Sequence, residues 1–514
     1  MDKSLFTLPL RQQRMGSGSG GQNGIKIASS SAIQQFHSAS SGGWRTDPIH
    51  LDVWDQPTMR LQTIASQVRN QEAVPANERA AQWRQLLRAW LYRSWLLVTT
   101  LLLTWLLLQF QSVLDRAPVH PSVEQVGVQW AELIWLAPVP LAIALWSGWI
   151  IFAEAVHPGP APMEVPFVTA RHGLVAFVTP KPTRLVFRFV TRGDNVEVLR
   201  NSVQAVHQAF RHYPLVPGPY LIEVISESPL LLGTAENERT RVYVVPSDYV
   251  TPNRSRFKAR ALAYIQQAVH PLREDWYIYL DEESLIDESM VAGIYRFVER
   301  ALRLETSSAT DGRKRQPAGL IGQGAILYEG GDWFFRGADA LRTADDLGRF
   351  RLQYAIGMPL FGVHGSYLVL RGTDDARLSF DVGPANSITE DAAWSLRAWS
   401  KGFRFEWVEG YLHEQPPQGI MDFVKQRSRW LSGIRLVLRD TEIPLRYRFC
   451  LGLFTVLWQL AFLPFLVAVI ALFVHASPFA WMRLPSDFAW ATFVLAYFQG
   501  IDVQVTHAQR SARK

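Results

Sequence analysis

The sequence predicts an α/β domain built on a mostly parallel, Rossmann-like sheet and inserted between transmembrane helices. Two observations carry that prediction. Between residues 180 and about 445, strand-like and helix-like segments alternate, the pattern of a doubly wound sheet. On both sides of that region stand apolar runs that approach the ~20 residues a helix needs to cross hydrocarbon. The composition agrees: of 514 residues, 48% are hydrophobic and 19 are Trp, and Trp gathers at membrane interfaces.

The segments follow in order. Residues 1–80 contain "GSGSGGQNG", "SSS" and "SASSGG", a composition that cannot bury enough surface to offset chain entropy, so a disordered cytosolic tail is expected. "GSGSGG" is not a phosphate loop, because no strand precedes it and no Lys-Ser/Thr follows. Residues 81–160 hold two expected spans, a slightly short one at 94–110 and an ample one at 133–156. Residues 446–514 hold another at 449–476, a weaker one at 488–501, and the basic end "THAQRSARK". Arg84, Arg88 and Arg93 precede the first span, whereas the 111–132 loop has only Arg116 among its acids. The positive-inside rule therefore predicts a multi-pass protein with both ends and the 180–445 region in the cytoplasm. The sequence does not choose between the Golgi or endoplasmic reticulum and the plasma membrane. One cysteine, Cys450, excludes an intramolecular disulfide and a cysteine-based metal site. A net charge of +6, from 52 basic and 46 acidic residues, is too small and scattered for nucleic acid and better suits anionic membrane lipid.

Within 180–445, strands are expected at "RLVFRFVTRGD", "PYLIEVISES", "RVYVVPSDY", "DWYIYLDEES" and "GLIGQGAILYEGG". After the first, Asn195 can cap a helix that aligns Leu199, Val203, Val206 and Phe210. Helices are also expected at "FKARALAYIQQAV" and "MVAGIYRFVERAL". In such sheets ligands bind beyond the carboxyl ends of the strands, and several of these ends are polar. Thr191 and Asp194 after the first strand, and Glu227 after the second, suit the donors of a nucleotide base and ribose. Asp281 and Glu283 suit Mg²⁺ or Mn²⁺ bridging a diphosphate, because hard cations prefer carboxylate and phosphate oxygens. Alternation along an extended chain turns Glu282 the other way and makes it replaceable. Lys258 and Arg260 stand ready to neutralise phosphate. One acidic strand end is ordinarily a cap or a solvated turn, but coincidence at three ends weakens that account.

Further on, "NSITEDAAWSLRAWSKG" opens a helix with Thr389 as N-cap and Glu390 and Asp391 in its first turn. The two readings are dipole-favoured capping and a general base for an attacking hydroxyl. "VKQRSRWLSGI" supplies Gln426, Arg429 and Trp430, either as an amphipathic helix lying on the membrane or as contacts for a pyrophosphate and a sugar ring. His364 and His413 have no second histidine at ligand spacing, so a core or acceptor-contact role is expected of each.

"LDEES", "TED" and Q-x-x-R-W, in this order before a membrane span, resemble the processive-type family 2 glycosyltransferases, which include cellulose, chitin and hyaluronan synthases. "PLFGVHGSYLVLR" adds a match: Gly365 and Ser366 stand where those enzymes carry a Gly-Ser pair beside the acceptor sugar, and His364 where cellulose synthases often have Cys. A closer likeness, over roughly 185–470, is to the egghead-type β-1,4-mannosyltransferases, whose metal motif is also "DEE". The departures are the long Ser/Gly-rich tail, the 306–318 loop and a shorter apolar end. The resemblance implies a glycosyltransferase-A-like catalytic domain in which Asp281 and Glu283 hold metal and donor diphosphate. It makes Asp391, with Glu390 beside it, the base, and Gln426, Arg429, Trp430, Gly365 and Ser366 the diphosphate and acceptor contacts. The expected enzyme is an inverting hexosyltransferase moving mannose from GDP-mannose in β-1,4 linkage to a glycolipid or glycan. Its rival is a polysaccharide synthase using UDP-glucose or GDP-mannose. A remoter rival is a non-enzymatic nucleotide-binding membrane protein, for which "TED" and Q-x-x-R-W together have no use.

Overall fold

In a computed structural model of the chain, the described residues are 76–114, 133–151, 169–170, 173–174, 183–212, 220–233, 238–310, 317–383, 390–461, 463 and 480–511. The expected polar tail before residue 76, Thr389 and residues 311–316 of the expected 306–318 loop lie outside them. The chain divides into two compact units, Met1–Arg79 and Ala80–Lys514, and apart from the first four residues of the opening helix the features below belong to the second.

Helices α1 (Ala76–Leu114) and α2 (Val139–Ile151) come first. The α/β region then runs β1 (Arg184–Thr191), α3 (Val196–His212), β2 (Tyr220–Ser226), β3 (Thr240–Val244), α4 (Phe257–Ala268), β4 (Asp275–Asp281), β5 (Leu285–Ile286) and α5 (Glu288–Thr310). After these come β6 (Leu320–Tyr328), α6 (Trp333–Asp345), β7 (Leu368–Arg371), α7 (Glu390–Ser400), β8 (Arg404–Glu414), α8 (Ile420–Arg439), α9 (Leu445–Ala461) and α10 (Ala480–Ser511).

All five expected strands are present, in an eight-stranded sheet of order β3-β2-β1-β4-β7-β6-β8-β5. The expected mostly parallel sheet is present in part: six of the eight strands run one way and two are reversed. β1, β2, β3 and β4 are mutually parallel, as are β6 and β8, but β7 runs antiparallel to both β4 and β6, and β5 antiparallel to β8. The sheet is mixed. β7 and β8 were not visible as strands for physical reasons. β7 is four residues long, and β8 is interrupted by Glu406, Glu409 and Gly410, with a register shift between Trp407 and Tyr411. The reversal of β7 matters most, because it delivers the segment just before that strand to the carboxyl end of β4.

Both faces are covered, as the near-continuous apolar strands require. Leu185, Phe187 and Phe189 of β1 meet Leu199, Val203 and Val206 of α3 and Met290, Ile294 and Phe297 of α5. Val186, Tyr277 and Tyr279 pack on the other face with Leu262 of α4 and Trp394 and Leu396 of α7. A third cluster joins Ala325 and Leu327 of β6 to Leu341 and Ala344 of α6, Leu96 of α1 and Leu495 and Ala496 of α10. At Gly500, α10 comes so close to α6 that a Cβ would lie 1.8 Å from the Ala340 carbonyl oxygen; only glycine fits.

Among the described residues no helix is long and apolar enough to cross a membrane, so the expected spans are not found as spanning helices. In α10 the apolar pattern is broken by Gln499, Asp502 and Gln504, and in α1 the apolar stretch is the short one at 94–110. The expected spans at 133–156 and 449–476 run into residues outside those described.

One buried polar group ties the parallel block together. The Arg188 guanidinium, fully buried on β1, donates from Nε to Glu223 on β2 (2.7 Å). From Nη1 it reaches the Tyr279 hydroxyl on β4 (3.0 Å) and Asp375 (3.3 Å), and it lies 3.4 Å from the Tyr277 ring centroid. Removing one partner of such a set strands the other charges in low dielectric, at about 3–5 kcal/mol. Arg188→Ala is therefore expected to lower unfolding stability by that amount, measured by chemical denaturation, whereas an exposed change such as Arg192→Ala is expected to leave it unmoved.

Candidate active site

The site grows from the end of β4. There the chain turns at once: the Asp281 N–H donates to Ser284 Oγ (3.0 Å), and the Ser284 N–H to the Asp281 carbonyl (3.1 Å). This turn sets the carboxylates of Asp281, Glu282 and Glu283 apart. Ser284 Oγ also lies 3.1 Å from Ser366 Oγ, which fastens the turn to the segment before β7. That segment is strained. Tyr367 has φ +58°, a left-handed conformation uncommon for a bulky residue. It is fixed by the Tyr367 N–H on the Tyr279 carbonyl (2.8 Å) and its hydroxyl on the Glu409 carbonyl (2.7 Å).

Lys258, in the first turn of α4, donates to the Asp281 carboxylate and to the Gly365 carbonyl (2.7 Å). A Cβ on Gly365 would sit 3.3 Å from Lys258 Nζ and 3.4 Å from Asp391 Oδ2. Lys258, Asp281, Gly365 and Asp391 thus meet at one point. Asp391, in the first turn of α7, accepts the Ala392 N–H on Oδ1 (2.8 Å), which leaves Oδ2 on the side of Gly365. Burial raises the Asp391 pKa; the Ala392 N–H and the Lys258 charge oppose the rise without cancelling it. The side chain of Glu390 lies outside the described residues.

A carboxylate that the sequence reading passed over completes the cluster. Glu414 ends β8 and is buried. Burial, then repulsion from Asp281, pushes its pKa up to about 7. Glu283 is pushed up to about 8 by burial and then by Asp281 and Glu414. The signal for Glu414 was the one used for "DEE", an acid at the carboxyl end of a strand. Buried carboxylates that suppress one another's ionisation, with oxygen donors only, fit a hard divalent cation such as Mg²⁺ or Mn²⁺. Asp281 and Glu283 would hold it, with Glu414 beside them.

Other expected residues fall differently. Thr191 donates to the Glu282 carboxylate instead of facing the cluster. Asn195 Nδ2 reaches Glu282 Oε1 (3.0 Å), and the Gly193 N–H returns to Thr191 Oγ1 (2.9 Å) with Gly193 at φ +90°. Glu282 does point away from its neighbours, but it is not idle: it holds the turn after β1. Arg260, expected to neutralise phosphate, is engaged within the chain. Its guanidinium clamps Glu227 (2.7 Å) and the carbonyls of Tyr249 (2.9 Å) and Pro246 (2.6 Å). Asp194 is exposed on the same turn as Thr191. His364 bonds Asp346 (2.6 Å) and stacks on Phe350 (4.4 Å between centroids), an anchoring role.

On α8, Arg429 is exposed and Gln426 accepts from Arg427 (3.1 Å). The guanidiniums of Arg427 and Arg342 lie 4.3 and 4.5 Å from the Trp430 centroid, and Arg427 also donates to the buried Asp339. Arg342 of α6 is the second group missed in the sequence. It lies 4.7 Å from the Tyr328 centroid, and its charge acts to lower the Glu414 pKa. It therefore joins the Q-x-x-R-W helix to the acidic cluster.

A sequence profile of the glycosyl transferase family group 2 matches residues 276–500. The protein named β-1,4-mannosyltransferase egh of Drosophila melanogaster is 35% identical over 285 residues, 53% of this chain and 57% of that protein. The protein named β-1,4-mannosyltransferase bre-3 of Caenorhabditis briggsae is 32% identical over 313 residues, 60% of this chain and 61% of that one. Its namesake in Caenorhabditis elegans is 31% identical over 361 residues, covering 66% and 71%. The chain thus spans less than two thirds of the fly and C. briggsae proteins.

Glu282→Gln is expected to cost roughly 1–3 kcal/mol, because a charged acceptor shared by Thr191 and Asn195 is replaced by an amide; unchanged chemical denaturation would return Glu282 to the replaceable class. The raised carboxyls set a pH dependence. Groups with folded pKa values of about 8 and 7, against 4.5 unfolded, contribute stability that is complete below about pH 4.5 and lost as pH rises through 7 to 8. Melting temperatures in chelator are expected to fall across that window, and millimolar Mn²⁺ to reverse the fall. Equal loss with and without Mn²⁺ would sever the carboxylates from cation binding.

Proposed function

The chain belongs to the family 2 glycosyltransferases, and from that membership we propose that it is an inverting β-1,4-mannosyltransferase acting on a nucleotide-linked mannose. The observation that carries the chemistry is the meeting of Asp391 with Lys258, Asp281 and Gly365. The names of the fly and nematode relatives support mannose, and the resemblance of the motifs supports GDP-mannose as donor and a glycolipid as acceptor.

The donor lies across the carboxyl ends of the strands, with its sugar towards Gly365 and its diphosphate towards Asp281 and Glu283. A divalent cation held by these carboxylates would offset the negative charge that grows on the departing diphosphate. The chain does the rest. Asp391 has one oxygen engaged by the Ala392 N–H and the other facing Gly365. It takes the proton of an acceptor hydroxyl as that oxygen attacks the anomeric carbon from the face opposite the nucleotide. The new carbon–oxygen bond forms as the bond to the diphosphate breaks, and the nucleoside diphosphate leaves with the electron pair. An α-linked donor gives a β-linked product. Burial keeps Asp391 more basic than an exposed carboxylate, and Lys258 holds Asp281 and the Gly365 carbonyl in place. Arg342 and Arg427 bring positive charge to this end of the sheet, and Arg429, exposed on the same helix as Arg427, would supply a further charge for the diphosphate.

A membrane-bound chain with the catalytic region in the cytoplasm goes with this reading. Its supports are Arg84, Arg88 and Arg93, which precede the apolar stretch of α1, and the exposed apolar side chains of α1 and α9, among them Trp95, Leu102, Trp105, Phe449 and Val456. Such faces on a water-soluble surface mark contact with lipid or protein.

Asp391→Asn is expected to reduce transfer by about 10²–10⁴-fold while leaving nucleotide binding by calorimetry within a few-fold. The test is a radiolabel transfer assay on membranes containing the chain, comparing GDP-mannose, UDP-glucose and UDP-GlcNAc with Mn²⁺, followed by mass analysis. One added hexose from GDP-mannose supports the proposal; a ladder of products would favour a polymer synthase, and full activity in Asp391→Asn would remove the base.

A further inference from the structure

Behind the acidic cluster the fold assembles a second polar group from four separate segments. Asp287 follows β5, Glu329 follows β6, His413 is the penultimate residue of β8, and His507 stands near the end of α10. One ligating atom from each of Asp287, His413 and His507 lies within 4.8 Å of the others. The sequence offered no second histidine near His413; the packing of α10 supplies one.

The orientation of the two rings is informative. A single Glu329 oxygen lies 3.0 Å from His413 Nδ1 and 3.7 Å from His507 Nδ1. On the other side of the His413 ring, Nε2 lies 3.8 Å from Asp287 Oδ2, beyond hydrogen-bond distance. Asp287 is itself fixed, since Ser289 Oγ (2.7 Å) and the Met290 N–H (2.9 Å) both donate to its Oδ1, leaving Oδ2 for a partner. His413 is 7% exposed, and Tyr411 packs edge-on against the His507 ring (5.1 Å between centroids). A carboxylate on the Nδ1 side of a histidine is the arrangement that sets its tautomer and frees Nε2 for a metal. Here one carboxylate lies on the Nδ1 side of both rings, within hydrogen-bond distance of His413.

We propose that Asp287, His413 and His507 bind a transition-metal dication, Zn²⁺ by the chemistry of its donors, with Glu329 orienting the two imidazoles. Two imidazoles and one carboxylate suit zinc, whereas the oxygen-only set around Asp281 suits a hard cation. The ion would pin α10 to the ends of β6 and β8, next to Glu414. It is a structural pin independent of the transfer reaction, so it stands or falls apart from the catalytic reading.

The test uses the full chain, stripped with chelator and titrated with Co²⁺ as a spectroscopic probe. The expected result is one equivalent bound with the intense visible absorption of a four- or five-coordinate site, in wild type and in Asp281→Asn alike. One equivalent of Zn²⁺ displaces it, and excess Mg²⁺ does not. His413→Gln and His507→Gln abolish the band and the rise in melting temperature given by Zn²⁺, and Glu329→Gln weakens binding about 10–100-fold. His507 is the more exposed of the two histidines, so if His413→Gln does not fold, His507→Gln decides. The proposal is overturned if wild type binds no Co²⁺ in that form, which leaves His413 as a protonated ring between two carboxylates. It is equally overturned if the band survives in a folded His507→Gln chain, judged by circular dichroism, or disappears with Asp281→Asn.

Discussion

The Lys258 ammonium is the contact on which the site depends. It joins a carboxylate 23 residues away to a carbonyl 107 residues away, and it sits beside Asp391 on a third element. Without it, Asp281 would face Glu283 and Glu414 with no positive charge from α4, and only the Ser284–Ser366 and Tyr367–Tyr279 contacts would hold the segment before β7 to the end of β4. A lysine suits this work better than an arginine would. Its compact point charge with rotatable donors can serve a carboxylate and a carbonyl in different directions, whereas a guanidinium is planar and fork-shaped. Its bond engages one oxygen of Asp281, so a bound cation there would share the carboxylate with Lys258.

The second constraint is topological. In a wholly parallel sheet every strand start lies at the end opposite the ligand crevice. Reversing β7 puts one strand start, and the Gly365–Ser366 pair before it, on the crevice side. The left-handed Tyr367 marks how sharply the chain must bend to do so. The price of that bend is met by the hydroxyl of Tyr367 on the Glu409 carbonyl and by the close fit of its ring over Gly324, where a Cβ would lie 2.2 Å from a ring carbon. The strain sits where backbone strain is commonly stored, beside reacting groups.

Much of this was legible in the sequence because it is local. Five strands and the helices between them follow from runs and faces whose period is short, and the acids at their ends mark one crevice. The likeness of "LDEES", "TED" and Q-x-x-R-W to a known family was legible for the same reason. What escaped depends on pairing over distance. β7 is too short to announce itself, and β8 is broken by a bulge. Thr191 and Arg260 have the right chemistry for a nucleotide, but their partners Glu282 and Glu227 are fixed only when the strands are laid side by side. Glu414, Arg342 and the histidine pair are visible as residues yet acquire meaning from neighbours dozens to hundreds of positions away.

The contact of α10 with α6 at Gly500 also bears on biosynthesis. Every strand of the sheet has been made once residue 414 leaves the ribosome, yet the outer face of α6 is finished by a helix that begins at Ala480. For the time that separates them, Leu327, Leu341 and Ala344 lack part of their cover. A nascent chain paused in that interval presents an apolar face next to the acidic crevice until α10 packs against α6.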